Sequence, residues 1–201
     1  MARRPDRSEV IREVFGRAIR LHEQVMRMDP SPILAAADAI AATLREGGKV
    51  LVFGNGGSAS DSQHFAAELV GRFQQERRGL AAMALTADAS VLTSIANDYG
   101  YEQVFARQIQ ALGRPGDVAF GISTSGASPN VVAGLKAARR ADLRVAALTG
   151  RDGGLMGSCA EIHINIPHAS TPRIQEVHRT VLHIICELVE GQVPTGSGSG
   201  T

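Results

Sequence analysis

Tryptophan is missing from this chain of 201 residues, tyrosine occurs twice and aromatics make up 4% of it. That scarcity argues against stacking of single-stranded nucleic acid, which relies on aromatic platforms. Charge of one sign is also lacking: 21 Lys and Arg face 20 Asp and Glu, a formal net charge of +1. No broad basic face for nucleic acid is expected. The opening arginines Arg3, Arg4 and Arg7 read as a solvated terminus. No apolar run approaches membrane-spanning length, and none follows those arginines as a signal peptide requires. The two cysteines, Cys159 and Cys186, have no framework or metal-type spacing, and read as ordinary thiols of a reducing cytoplasm.

What is present is alternation. Strand-like apolar runs recur at 49–54, 80–86, 117–123, 144–149 and 161–166, separated by helical patterns at about 58–76, 88–96, 101–112 and 129–141. Alternating elements predict a parallel sheet covered by helices on both faces. Two helices are expected before the first strand, at about 7–28 and 31–46, the second opening at Ser31-Pro32. A last long helix follows Thr171-Pro172, with Thr171 as its cap. Residues 193–201 form a linker-like Gly/Ser tail, which leaves 1–192 as one domain with an N-terminal helical extension. The first helix is amphipathic through Val10, Val14, Phe15, Ala18 and Leu21, and needs a partner surface such as another subunit.

The chemistry concentrates in Gly54–Glu68. Gly54-Asn55-Gly56-Gly57-Ser58 joins the first strand to a helix, where backbone amides face an anion. His64 and Glu68 follow at i,i+4 and share one helix face, with Asp61 one turn earlier. Such a pair is also a common surface interaction, and Glu68 could equally pair with Arg72. A second hydroxyl-rich loop, Ser123-Thr124-Ser125-Gly126-Ala127-Ser128, follows the third strand and opens the helix near Pro129. It suits a dianionic phosphate, although serine and threonine also favour plain capped turns. In a sheet ordered 2-1-3-4-5, strands one and three are neighbours at the topological switch point, so both loops converge on one crevice. Neither is a Walker or dinucleotide fingerprint.

On the final helix, Gln175, Arg179 and His183 follow one another at i,i+4. Two histidines, a carboxylate and an amide oxygen make a four-ligand set for zinc, if that helix meets His64 and Glu68. His163 reads as a strand residue and His178 as a helix-surface residue, with no role assigned to either. His168 sits undecided in the loop before the last helix. Asn97-Asp98-Tyr99-Gly100 reads as a helix end on a left-handed glycine or as a ligand contact.

Gly54-Asn-Gly-Gly-Ser58, His64-x-x-x-Glu68, Ala96-Asn-Asp-Tyr-Gly100, Ser123-Thr-Ser-Gly-x-Ser128 and Arg173-Ile-Gln-Glu-x-His178 with His183 together resemble the sedoheptulose 7-phosphate isomerases. These, also called phosphoheptose isomerases, belong to the sugar isomerase (SIS) domain superfamily. The likeness runs from about residue 8 to 190. It implies a flavodoxin-like (SIS) three-layer sandwich, a homotetramer with interface active sites, and conversion of sedoheptulose 7-phosphate to D-glycero-D-manno-heptose 7-phosphate. By position it implies substrate contacts at Asn55, Gly56, Gly57, Ser58, Glu68, Asn97, Asp98 and Gln175, and a phosphate cradle of Ser123, Thr124, Ser125 and Ser128. It implies one zinc per subunit on His64, Glu68, Gln175 and His183, with Glu68 as base and His183 as acid. Asp61 is expected to orient the His64 imidazole. The rival readings are a non-catalytic SIS protein that associates with a replication initiator, and a sugar-phosphate sensor.

Overall fold

Each of the five apolar runs becomes a strand: β1 (Val50–Gly54), β2 (Ala82–Ala84), β3 (Val118–Ser123), β4 (Arg144–Gly150) and β5 (Ile162–Ile166). They form one parallel sheet in the order β2-β1-β3-β4-β5, the expected order. The computed structural model describes residues 6–193; Arg3, Arg4 and residues 194–201 of the linker-like tail lie outside them. β1 and β3 are buried at every position, which is why they read as continuous apolar runs rather than alternating ones.

The helices are α1 (Arg7–Met26), α2 (Ser31–Arg45), α3 (Gly57–Val70), α4 (Ala89–Tyr99), α5 (Val104–Leu112), α6 (Pro129–Arg140), α7 (Gly154–Cys159) and α8 (Thr171–Glu190). Side chains alternate through the sheet and build two cores. Val50, Val52, Phe120 and Leu148 pack with α2, α3 and α8 on one face. Leu51, Phe53, Ala119 and Ala147 pack with α5, α6 and Met156 of α7 on the other. This is the three-layer sandwich, and it sets α3 and α8 side by side.

Four local features differ from the sequence expectation. α3 ends at Val70 rather than 76, because Gly71 closes the helix and a buried contact described below captures the following loop. α7, six residues long, is too short to show a helical period, and it starts on the left-handed Gly153. Thr171 is the first residue of α8, not its cap; Ser170 occupies that position, and its amide donates to Nδ1 of His168 at 3.0 Å. His178 is fully buried rather than on the helix surface. Gly100 is left-handed at φ 85°, as a helix-ending glycine should be.

α1 buries only Leu21, while Phe15 is 66% and Ile19 58% exposed. These side chains border an apolar groove of about 880 Å³ shared with Met26, Ile33, Ile184 and Leu188. α4 has no buried residue at all. Among the described residues no helix is long and apolar enough to cross a membrane.

Candidate active site

The switch point lies between β1 and β3, where Gly54 pairs with Ile122. Ser123 ends β3, and its Oγ lies 3.2 Å from Ser125 Oγ and 2.9 Å from Ser128 Oγ. Ser128 holds the N-cap position of α6 without bonding a helix amide, so its hydroxyl is spent on Ser123 instead. The loop therefore gathers three hydroxyls at the positive N-terminal end of a twelve-residue helix, an anion-binding arrangement, although Pro129 carries no N–H and the Val131 amide donates to Asn130 Oδ1. Gly126 makes the turn possible: its φ is +65°, and any Cβ there would run into the Gly153 carbonyl. The Met156 amide donates to Gly126 O at 2.9 Å, so α7 braces the cradle from behind.

Across the crevice, Asn55 is locked by a reciprocal amide pair. Its Nδ2 donates to Asn130 Oδ1 at 2.8 Å, and Asn130 Nδ2 donates to Asn55 Oδ1 at 2.9 Å. The Tyr101 hydroxyl also donates to Asn55 Oδ1, at 3.1 Å. With its oxygen doubly occupied, Asn55 has one amide hydrogen left for a ligand. Ser58 is buried at the start of α3, and its amide donates to Asn55 O.

α3 and α8 run parallel, in a register that carries the rest of the site. The Gln175 carboxamide lies against Gly57 so tightly that a Cβ at 57 would overlap it. One turn on, Arg179 donates to Asp61 Oδ1 at 2.6 Å. Next, His64 Nε2 and His183 Nε2 stand 2.8 Å apart, with Glu68 Oε1 3.4 Å from His64 Nε2. One ligand atom from each of His64, Glu68 and His183 falls within 4.8 Å of the others. The Phe73 ring packs on His183 with centroids 5.4 Å apart. Burial first, then the neighbouring His64, pushes the His183 pKa below its ordinary value, so the ring is neutral near pH 7.

One expectation changes here and one alternative is settled. Asp61 does not hydrogen-bond His64; the i,i+3 spacing points it at α8, where Arg179 claims it. Glu68 turns to His64, and Arg72 pairs with Glu76 instead. Asn97 and Asp98 lie exposed on α4, bonded to each other at 2.8 Å and, among the described residues, to no cradle or cluster residue. Gly150 ties the cradle to α8: a Cβ there would sit 2.5 Å from the Thr124 carbonyl and 2.7 Å from Ile174.

Residues 15–150 match the SIS domain family. A phosphoheptose isomerase of Roseiflexus sp. (strain RS-1) is 54% identical over 158 residues, covering 79% of this chain and 80% of the relative. The chain belongs to the phosphoheptose isomerase family. The solved phosphoheptose isomerase of Neisseria gonorrhoeae is 44% identical with a TM-score of 0.87, covering 92% of this chain and 98% of its own. That of Francisella tularensis is 35% identical with a TM-score of 0.89, covering 93% and 100%. Membership makes this chain an isomerase, and the non-catalytic and sensing alternatives are not favoured.

Within this phosphoheptose isomerase fold, sequence reasoning missed Asn130, Tyr101, Phe73 and Asp61's true partner. Asn130 follows Pro129 at a helix start, where an amide side chain signals nothing by itself. Gly57 gives a direct test. Alanine in a helix is favoured over glycine by about 1 kcal/mol, so Gly57→Ala should leave Tm unchanged or raised. The displaced Gln175 should nevertheless lower kcat/KM by about tenfold or more. Steady-state kinetics beside a melting curve checks both.

His178 predicts the acid behaviour of this fold. Its Nε2 lies 2.9 Å from Thr149 O, its Nδ1 has no hydrogen-bond partner among the described residues, and burial pushes its pKa down despite that bond. The unfolded chain then binds the extra proton more readily than the folded one. Stability is full above the ordinary histidine value of about 6.5 and falls as pH drops below it. Melting temperature against pH should show this decline, and His178→Gln should flatten it.

Proposed function

We propose that this chain interconverts sedoheptulose 7-phosphate and D-glycero-D-manno-heptose 7-phosphate through an enediol, in heptose biosynthesis. The observation that carries the site assignment is the meeting of His64 and Glu68 with His183 across two helices, beside a hydroxyl cradle at the switch point. Ser123, Thr124, Ser125 and Ser128 hold the phosphate, and Asn55, Gly56, Gly57, Asn97, Asp98 and Gln175 contact the sugar. Binding the remote phosphate fixes C1 and C2 against the reacting groups.

Glu68 then removes a proton from C1 of the ketose. One of its oxygens faces His64, which leaves the other for the proton. The C1–H electrons form the C1=C2 bond as the C2 carbonyl electrons move to O2. His183 delivers a proton to O2 and receives one from O1, while the part-exposed Glu68 carboxyl, exchanging its proton with solvent, returns a proton to C2, giving the aldose. A neutral imidazole suits this role, because it can both give and take a proton near pH 7. Each positioned acid or base contributes about 10²–10⁴-fold.

Two imidazoles and a carboxylate with ligand atoms within 4.8 Å form a donor set that fits zinc. His64, Glu68 and His183 would hold the ion, with Gln175 as the fourth ligand. When bound, zinc polarises substrate oxygens and stabilises developing negative charge. The exposed apolar face of α1 and the absence of buried residues on α4 support a homotetramer with sites at subunit interfaces. The free thiols of Cys159 and Cys186 support a reducing cytoplasm. Residues 1–192 are read as one SIS domain, and nucleic acid and membranes are not proposed as partners.

The test is incubation of the purified chain with sedoheptulose 7-phosphate, with and without zinc, following the aldose by NMR. Conversion is expected. No conversion under either condition contradicts the reading.

A further inference from the structure

The loop between α3 and β2 is exposed over most of residues 71–79, yet it is bound at its base by one buried ion pair. Arg77 Nε donates to Glu190 Oε1 at 3.0 Å, and both side chains are 1% exposed. The same carboxylate accepts the amides of Phe73, Gln74 and Gln75 at 2.8, 2.9 and 3.0 Å. The guanidinium spends its other hydrogens on the end of α3: Nη1 donates to the carbonyls of Leu69, Gly71 and Arg78, and Nη2 to that of Glu68 at 2.8 Å. The carbonyls of Glu68, Leu69 and Gly71 are orphans of a helix end, and a cation satisfies them well.

The pair thus joins the helix that carries His64 and Glu68 to the helix that carries His183. It lies one or two turns beyond the cluster, and it also seats Phe73 on the His183 ring. We propose that Arg77 and Glu190 are positioning residues for the isomerase site. They fix the register of α3 against α8, so that Glu68 and His183 meet at reacting distance. The proposal rests on the reading of that cluster as the active site, and goes beyond it by assigning its geometry to a pair that touches no substrate.

A buried ion pair does not need to stabilise a fold; apolar replacements of similar volume are often neutral or better. That property separates positioning from stability. The experiment compares wild type with Arg77→Lys, which keeps the charge but not the fork, and with the double variant Arg77→Met/Glu190→Leu. Melting temperature, kcat, KM for sedoheptulose 7-phosphate and zinc affinity by chelator competition are measured on each.

Both variants should show kcat reduced about 10–100-fold with KM within about twofold, as expected for misplaced reacting groups. Zinc affinity should weaken about tenfold or more. The double variant should do so with its melting temperature retained. Wild-type kcat and zinc affinity in either folded variant, whatever its melting temperature, would overturn the proposal. If the double variant does not fold, Arg77→Lys decides alone. If wild type binds zinc but turns nothing over, the isomerase reading fails while the zinc arm still judges the pair.

Discussion

Glu68→Gln lowers kcat for sedoheptulose 7-phosphate by about 10³-fold and leaves KM within about threefold. The amide is isosteric with the carboxylate, so the packing of α3 is unchanged and the phosphate cradle is untouched. What is removed is, among the described residues, the one carboxylate grouped with the His64–His183 pair. A glutamine cannot accept the C1 proton at neutral pH, and the loss falls on the chemical step. Because the side chain also belongs to the proposed zinc set, metal content must be measured on the same sample. A variant that keeps wild-type kcat would remove Glu68 from the mechanism, whatever its metal content.

His183→Gln should lower kcat by about 10²–10⁴-fold, and with it the affinity for zinc. Two contacts go at once: the 2.8 Å approach to His64 and the tilted packing against the Phe73 ring. The neutral imidazole that shuttles protons between O1 and O2 is lost as well. Combining it with Glu68→Gln should cost little more than the worse single change, since groups acting as one unit are not additive. Steady-state kinetics on the two single variants and the double one checks this. Additive losses would mean the two residues act in separate steps.

The fold was legible because a buried parallel sheet writes itself plainly. Val50–Phe53 and Val118–Ile122 have no polar interruption, and the glycine and serine loops stand at their ends. Alternation pointed to a parallel sheet, the order 2-1-3-4-5 was that of the flavodoxin-like fold which the family resemblance implies, and the meeting of α3 with α8 followed from the same resemblance rather than from periodicity. What was hidden is what depends on tertiary direction. Asp61 and His64 share the face of α3 that meets α8, but they lie one turn apart along it, so Asp61 meets Arg179 and His64 meets His183. His178 looked exposed because a lone histidine carries no sign of burial; only the packing of α8 on β4 puts it against Thr149. Arg77 and Glu190 lie 113 residues apart, each in an ordinary charged stretch, and nothing local marks them as partners. α7 escaped because six residues make less than two turns.

Proton transfer by Glu68 is the centre of the mechanism, and isotope exchange reads it directly. Sedoheptulose 7-phosphate is converted in D2O, and the aldose product is examined by NMR for deuterium at C2. The enediol route predicts label at C2 with the wild-type chain, and loss of both turnover and C1 exchange with Glu68→Gln. Aldose formed by Glu68→Gln as fast, and labelled at C2 as fully, as by the wild-type chain would contradict it.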